Sequence, residues 1–380
     1  MFLHAFDSNW LSTPFWRSKF LLDDPTTLKL AHDSGIAECW IDLARGDDEA
    51  PAIVAAPPPA AEPTPFEREL QQAAALCAQA REATRSMFRE ARLGNAIDMG
   101  QCVELVDELA QSVTRNPGAL ISLARLKNKD DYTYMHSVAV CALMVGLGQN
   151  LGLDEAACRE AGLAGLLHDL GKAGIPLEIL NKPGKLSDEE FAAVRNHPRH
   201  GYELLRDGGN VSAAVSDVCL HHHEKMDGSG YPDRLAGHAI TLLARMGAVC
   251  DVYDAITSNR PYKAGWDPSE SVARMLEWQG HFDPLVLSAF VKLLGIYPVG
   301  TLVRLNSQRL AVVTEQNRAA LTKPVVKVFY SLRNKARIEP VRIDLSSPAA
   351  KDAISGREPR EHWAFDDLEQ IWAGAAAAGR

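Results

Sequence analysis

Three regimes of hydrophobic patterning follow one another along this chain. Over residues 1–50, aromatic and β-branched residues sit among turn formers, as in stretches 10–16 and 39–42, which predicts a small α/β or mostly β module. Residues 51–65 are dominated by proline and alanine. Proline lacks an amide donor and favours extended backbone, so this stretch reads as a semi-rigid linker. From Phe66 the apolar residues recur at helical spacing with few breakers. The spacing predicts helices over 66–92 and 98–113, the second stopped by Asn116-Pro117-Gly118, and further helices in close succession to about residue 296. Their starts are marked. Ser187-Asp188-Glu189-Glu190 is a capping box, and Asp267-Pro268 and Asp283-Pro284 put a cap ahead of a proline in the first turn. After Gly295 the period becomes two, and 301–305, 310–314 and 325–330 read as strands. A last helix is predicted near 363–372. The chain is therefore read as mainly α, with a small N-terminal α/β module and a small C-terminal strand-rich appendage.

The length of 380 residues suits two or three domains, and a hydrophobic fraction of 46% suits a globular core. We divide the chain into an N-terminal regulatory module (1–50), the linker (51–65), connecting helices (66–114), a central catalytic domain (115–300), the strand-rich appendage (301–345), and a C-terminal helix with a fraying tail (346–380). The most apolar stretch, 138–153, contains Gln149 and Asn150 and stops at Asp154, so it reads as a buried core helix and not a membrane span. The first residues show no basic segment followed by an apolar one, and a cytoplasmic location is expected. Seven scattered cysteines without a Cys-x-x-Cys pair read as reduced, buried thiols. A formal charge of −9 argues against DNA, RNA polymers and anionic membrane surfaces as partners. It leaves room for a small anion held by local cations. Residues 301–338 hold eight basic residues against Glu315, which we read as the solvated face of the appendage and not as an anion site.

The histidines depart from this ordinary picture. Eight of the twelve fall between residues 136 and 238. Six of them occur in Tyr132-Thr-Tyr-Met-His136, Leu167-His168-Asp169-Leu-Gly171-Lys172, Asn196-His197-Pro198 and His221-His222-His223-Glu224, with Asp251-x-x-Asp254 following on a later helix. Adjacent helical residues point about 100° apart, so His168 and Asp169 can present nitrogen and oxygen to neighbouring metals. A carboxylate can bridge two cations, and mixed imidazole–carboxylate ligation suits iron, manganese or zinc better than calcium. Two metals about 3.5–4 Å apart can activate water and clamp both oxygens of an in-line phosphoryl displacement. An isolated histidine such as His4, His32 or His362 is read as an ordinary surface or core residue. The paired ones in apolar frames are not.

The order His136 … His168-Asp169-x-Gly171-Lys172 … His197-Pro198 … His222-His223-Glu224-x-x-Asp227-Gly228-x-Gly230-Tyr231-Pro232 … Asp251 resembles the HD-GYP family. This is the branch of HD-domain phosphohydrolases that hydrolyses bacterial cyclic di-GMP. The resemblance covers roughly residues 115–300 and implies an HD-type helical bundle. It also implies a metal set of His136, His168, Asp169, His197, His222, His223 and Asp251, with Asp169 as the bridge. One metal would lean on His136, His168 and Asp251, the other on His197, His222 and His223. His221 and His200 are read as non-ligands and Asp254 as a supporting carboxylate. Some family members carry a glutamate four residues before the first histidine. Tyr132 stands there in this chain, so two divalent ions, iron or manganese, are expected and not three.

Lys172 read alone is a cation near a helix end, and Arg260-Pro261-Tyr262-Lys263 a surface turn. The resemblance makes Lys172 catalytic and, with Arg260 and Lys263, substrate-binding. Gly230, Tyr231 and Pro232 would form a lip that shapes the pocket and can dock GGDEF-domain diguanylate cyclases. The expected activity is a two-metal hydrolysis of cyclic di-GMP to linear pGpG, with GMP as an open further product. The rival is a nucleotide-responsive module that recruits GGDEF partners with little turnover. Hydrolysis of a different nucleotide is a third reading, against which the Gly-Tyr-Pro loop and Arg260/Lys263 speak. The N-terminal module is compatible with a homodimer.

Overall fold

The computed structural model describes residues 2–6, 20–21, 29, 39–41 and 65–377, apart from 128–130, 181, 183, 209–210 and 259–264. The chain forms two compact units, Met1–Glu62 and Pro63–Arg380. In the first, strand β1 (Phe2–Phe6) lies between β2 (Phe20–Leu21) and β3 (Cys39–Ile41), antiparallel to both. The linker expected over 51–65 lies outside the described residues up to 64.

The second unit begins with helices α1 (Pro65–Arg92), α2 (Met99–Arg115) and α3 (Pro117–Ala124). Asp98 caps α2 by accepting from the Gln101 amide, and Asn116 both ends α2 and caps α3 through the Gly118 amide. Glu69 joins α1 to α2. It is buried and accepts from Ser112 at 2.8 Å and from Arg115 at 2.7 Å.

Helix α4 (Tyr132–Leu151) is the centre of the bundle. Every residue from Met135 to Gly148 is buried, because α1, α2, α3, α5 (Glu155–Leu167), α10 (Leu242–Thr257) and α12 (Pro284–Leu294) all pack on it. A helix enclosed on all sides needs apolar residues on all sides, which is why 138–153 stands out in the sequence. Gly152 in the left-handed conformation ends it. Among the described residues, no helix is long and apolar enough to cross a membrane.

Between α5 and α10 come a 3₁₀ turn at Leu170–Gly174 and helices α6 (Leu177–Leu180), α7 (Asp188–Arg195), α8 (His197–Gly208) and α9 (Ala213–His221). The capping box at Ser187 and Glu190 opens α7, with both reciprocal bonds present. Asp267 caps α11 (Pro268–Glu277) and Asp283 caps α12.

The C-terminal part is a five-stranded antiparallel sheet in the order β7-β6-β5-β4-β8. Its strands are β4 (Leu302–Leu305), β5 (Arg309–Glu315), β6 (Val325–Ser331), β7 (Ala336–Asp344) and β8 (Ile354–Arg357). The last helix, α13, is shorter than expected and runs Leu368–Ala373. The stretch before it is used differently: Trp363 and Phe365 stack on each other at 5.4 Å and meet Tyr330 of β6 edge-on. The basic face of the sheet is partly neutralised within the chain. Arg304 pairs with Glu358, Arg309 with Asp352, and Arg337 with Asp367. Among the described residues, six cysteines are buried and in no disulfide.

Candidate metal centre

Five segments converge on one buried point, and each reaches it at an element boundary or from inside the bundle. His136 projects from the first turns of α4. His168 ends α5, and Asp169 opens the 3₁₀ turn. His197 is the first residue of α8, His222 and His223 follow α9, and Asp251 comes from the middle of α10. The expectation that His168 and Asp169 share a regular helical turn is therefore modified, because the α-helix ends at Leu167 and the 3₁₀ turn begins at Leu170, with the two residues capping one and the other. Gly171 explains how the turn fits. A Cβ there would lie 1.9 Å from the His197 carbonyl oxygen and 2.5 Å from the Gly201 amide nitrogen, so only glycine lets the turn press against α8.

Asp169 sits between two groups of imidazoles and offers one oxygen to each. Its Oδ2 lies 3.5 Å from Nε2 of both His136 and His168. Its Oδ1 lies 3.1 Å from His197 Nε2 and 3.9 Å from His222 Nε2. Asp251 Oδ1 closes the first group at 3.0 Å from His136 Nε2. The donor atoms form three overlapping sets able to hold a cation: His136/His168/Asp251, His197/His222/His223 and His168/Asp169/His222.

Backbone carbonyls fix the tautomers. His168 Nδ1 donates to Gly165 O at 2.8 Å, His197 Nδ1 to Val194 O at 2.7 Å, and His222 Nδ1 to Cys219 O at 3.0 Å. A carbonyl only accepts, so each neutral ring carries its proton on Nδ1 and leaves Nε2 bare. The bare Nε2 atoms of His197 and His222 then face each other at 3.3 Å. His168 Nε2 and Asp169 Oδ1 are buried with no hydrogen-bond partner. Lone pairs crowded together without protons are unfavourable unless a cation sits among them. Ligands held about 2.0–2.2 Å from one ion lie at such separations, so the residues present fit divalent metal.

The titration shifts follow the same geometry. Burial pulls His223 down to about 3 and, with the imidazoles of His223, His168 and His197 as neighbours, holds His222 well below its ordinary value. His168 is lowered by burial. Burial alone would raise Asp169, but Lys172, His168 and His197 hold it well below the carboxylate range. His136 is different. Burial lowers it, yet hydrogen bonds to Asp251 and Asp254 outweigh burial and raise it.

A buried chain of charges supports His136. Its Nδ1 donates to Asp254 Oδ2 at 2.6 Å, and Lys127 donates to the same oxygen and to Ser258 Oγ at 2.9 Å. Lys127 and Asp254 are both buried. Asp254 thus lies behind a ring that faces the centre. Sequence reading gave Lys127 no role, since a single lysine far from any motif carries no local signal.

Of the remaining expected residues, Lys172 donates to Asp169 Oδ2 at 2.5 Å with its side chain partly exposed. Tyr231 stacks on His223 at 4.7 Å and an interplanar angle of 28°, and its amide donates to the His223 carbonyl. Pro232 follows it across a cis peptide. Gly230 is packed so closely that a Cβ would meet Glu224 Cα at 2.5 Å. Arg260 and Lys263 lie outside the described residues. His221 stands apart, with Nδ1 on Asp217 and Nε2 on Asp233, and the His200 ring is turned to the Gly171 carbonyl. Tyr132 lies parallel to the His136 ring at 5.9 Å, and the neighbouring Asp131 is engaged by Arg81 and Arg85.

A helical bundle with paired histidines around one shared aspartate defines an HD-type metal-dependent phosphohydrolase. Residues 109–286 match the family described as HD domain, and residues 1–102 match a domain of unknown function, DUF3391. The chain is 54% identical over 387 residues to the cyclic di-GMP phosphodiesterase PA4108 of Pseudomonas aeruginosa, covering 99% of this chain and 94% of that protein. It is 45% identical over 148 residues to the cyclic di-GMP phosphodiesterase response regulator RpfG of Xanthomonas campestris pv. campestris, covering 38% of this chain and 39% of that protein. It is 35% identical over 162 residues to the 3'3'-cGAMP-specific phosphodiesterase 2 of Vibrio cholerae, covering 42% of this chain and 31% of that protein. The chain spans less than half the length of these last two. The chain belongs to the HD-GYP family of HD-domain phosphodiesterases.

Proposed function

We infer that this chain hydrolyses cyclic di-GMP to linear pGpG, with GMP as the product of any second cleavage. The observation that carries the reading is Asp169, one oxygen toward each of two imidazole groups in which His168, His197 and His222 leave Nε2 bare. The near full-length similarity to a cyclic di-GMP phosphodiesterase supports the substrate.

Two divalent ions, iron or manganese, fit the mixed imidazole–carboxylate donor set. His136, His168 and Asp251 would hold one, His197, His222 and His223 the other, and Asp169 would span both. Bound there, such ions supply Lewis acidity and lower the pKa of a coordinated water. The chain's residues do the rest. Lys172, beside Asp169 and partly exposed, meets the negative charge that grows on the phosphate. Asp254 and the three backbone carbonyls keep the imidazoles oriented. The Gly230-Tyr231-Pro232 segment walls the side of His223, while Arg260 and Lys263 are assigned to phosphate and base by family resemblance. A cytoplasmic location and docking of GGDEF proteins at the Gly-Tyr-Pro lip belong to the same reading.

The test is to purify the protein without oxygen, quantify its metals, and follow cyclic di-GMP and 3'3'-cGAMP by chromatography with iron or manganese supplied. Cyclic di-GMP is expected to be the better substrate. Asp169→Ala is expected to lose turnover by a factor of at least a thousand while keeping its helical circular dichroism. Near-normal turnover in that variant would refute the mechanism, and none in the wild type under any metal would favour the recruiting module.

A further inference from the structure

We propose that Arg195 binds the second, non-scissile phosphodiester of the cyclic dinucleotide. This rests on the reading of the chain as a cyclic dinucleotide phosphodiesterase. Such a substrate carries two phosphates on one macrocycle, and only one can sit at the metals. The other needs a cation close by, in a chain that carries −9 overall.

Arg195 is the last residue of α7, two positions before His197. Its guanidinium carbon lies 4.5 Å from the centre of the Tyr231 ring. The same ring stacks on the His223 imidazole, at 4.7 Å. Arg195 is thus two stacking contacts from the metal centre, within the span of one nucleotide. Its side chain is exposed, and among the described residues it meets no carboxylate. Among the described residues, two nearby cations are otherwise engaged, Lys172 with Asp169 and Arg199 with Asp233. A guanidinium stacked through its face keeps its N–H edge free, and that edge matches two phosphate oxygens. Helix α7 has no buried residue, so its capping box and the Tyr231 contact do much to hold Arg195 at the rim.

A bland alternative is that Arg195 only props Tyr231 against His223. The two roles separate when a cyclic dinucleotide is compared with a substrate that has one phosphodiester, bis(p-nitrophenyl) phosphate. In the full-length, metal-loaded protein, Arg195→Ala is expected to lower the ratio of kcat/KM for cyclic di-GMP over bis(p-nitrophenyl) phosphate at least tenfold. The change should fall mainly on KM, with metal content as in the wild type. Arg195→Lys keeps the charge without the fork and is expected to recover part of the ratio. If both substrates decline together, or metal content drops, Arg195 is a prop and the proposal fails. An unchanged ratio also overturns it. A wild type that cleaves only 3'3'-cGAMP would refute the substrate reading but not this one, since the same ratio is then measured on that second cyclic dinucleotide. A wild type that neither binds nor cleaves any cyclic dinucleotide removes both.

Discussion

Lys127 shows how much of this site depends on residues that touch no ligand atom. Its ammonium is the counter-charge for Asp254, which accepts from His136. Removing one partner of a buried pair costs about 3–5 kcal/mol, because the other charge is left uncompensated. Lys127→Met is therefore expected to destabilise the protein by about that amount in urea unfolding. Adding Asp254→Asn removes the stranded charge and should restore much of the stability. Metal affinity should stay about 10–100-fold weaker in both variants, as when the partner of a ligating histidine is lost. A single variant that unfolds like the wild type would show that the pair contributes nothing. The paired histidines were legible because they break a pattern, standing as adjacent polar residues inside apolar helices. Lys127 was not, because it reaches Asp254 across 127 positions of chain and burial of a lysine cannot be read from its neighbours.

Among the elements, the 3₁₀ turn after α5 is the one on which the centre depends. Gly171 allows it to lie against the start of α8, which brings Asp169 within reach of His197. Gly171→Ala puts a methyl group into the His197 carbonyl. The turn or the helix must then shift, and Asp169 and His197 separate. The expected result is a protein that keeps its helical content but loses metal stoichiometry at the His197 side and at least a hundredfold in turnover. Circular dichroism with elemental analysis checks it, and full metal content would count against this view of the turn. Helix caps at Ser187, Asp267 and Asp283 were legible, since capping is local chemistry between a side chain and amides two or three residues on. The end of α5 at Leu167, just ahead of His168 and Asp169, was not, because it answers to packing against α8. The same holds for residues 363–365, whose aromatic rings suit a helix pattern but pack instead against β6.

Across the whole molecule, the apolar helix α4 carries the bundle while the centre sits at its first turns, so metal binding is coupled to folding. Ions that bind only the folded state raise its stability in proportion to the logarithm of their concentration over Kd. Stripping the protein with chelator is expected to lower its thermal midpoint, and titrating manganese back should raise it progressively. Asp169→Ala should show little of that rise. A midpoint indifferent to metal in the wild type would contradict the centre. Charge at this scale was only half legible. The surplus of arginine and lysine over 301–338 was plain, but its answer lies in Asp352, Glu358 and Asp367, further along the chain. Those carboxylates find the sheet only once it exists.

The carbonyls of Gly165, Val194 and Cys219 belong to the main chain, which every amino acid shares. The bonds they accept ask nothing of the side chains at those positions; what holds Gly165 is packing, since a Cβ there would lie 2.9 Å from the Val140 carbonyl oxygen. Part of the centre's blueprint is therefore inherited as backbone curvature. Someone grafting the site onto another protein by copying its histidines and aspartates would leave that part behind.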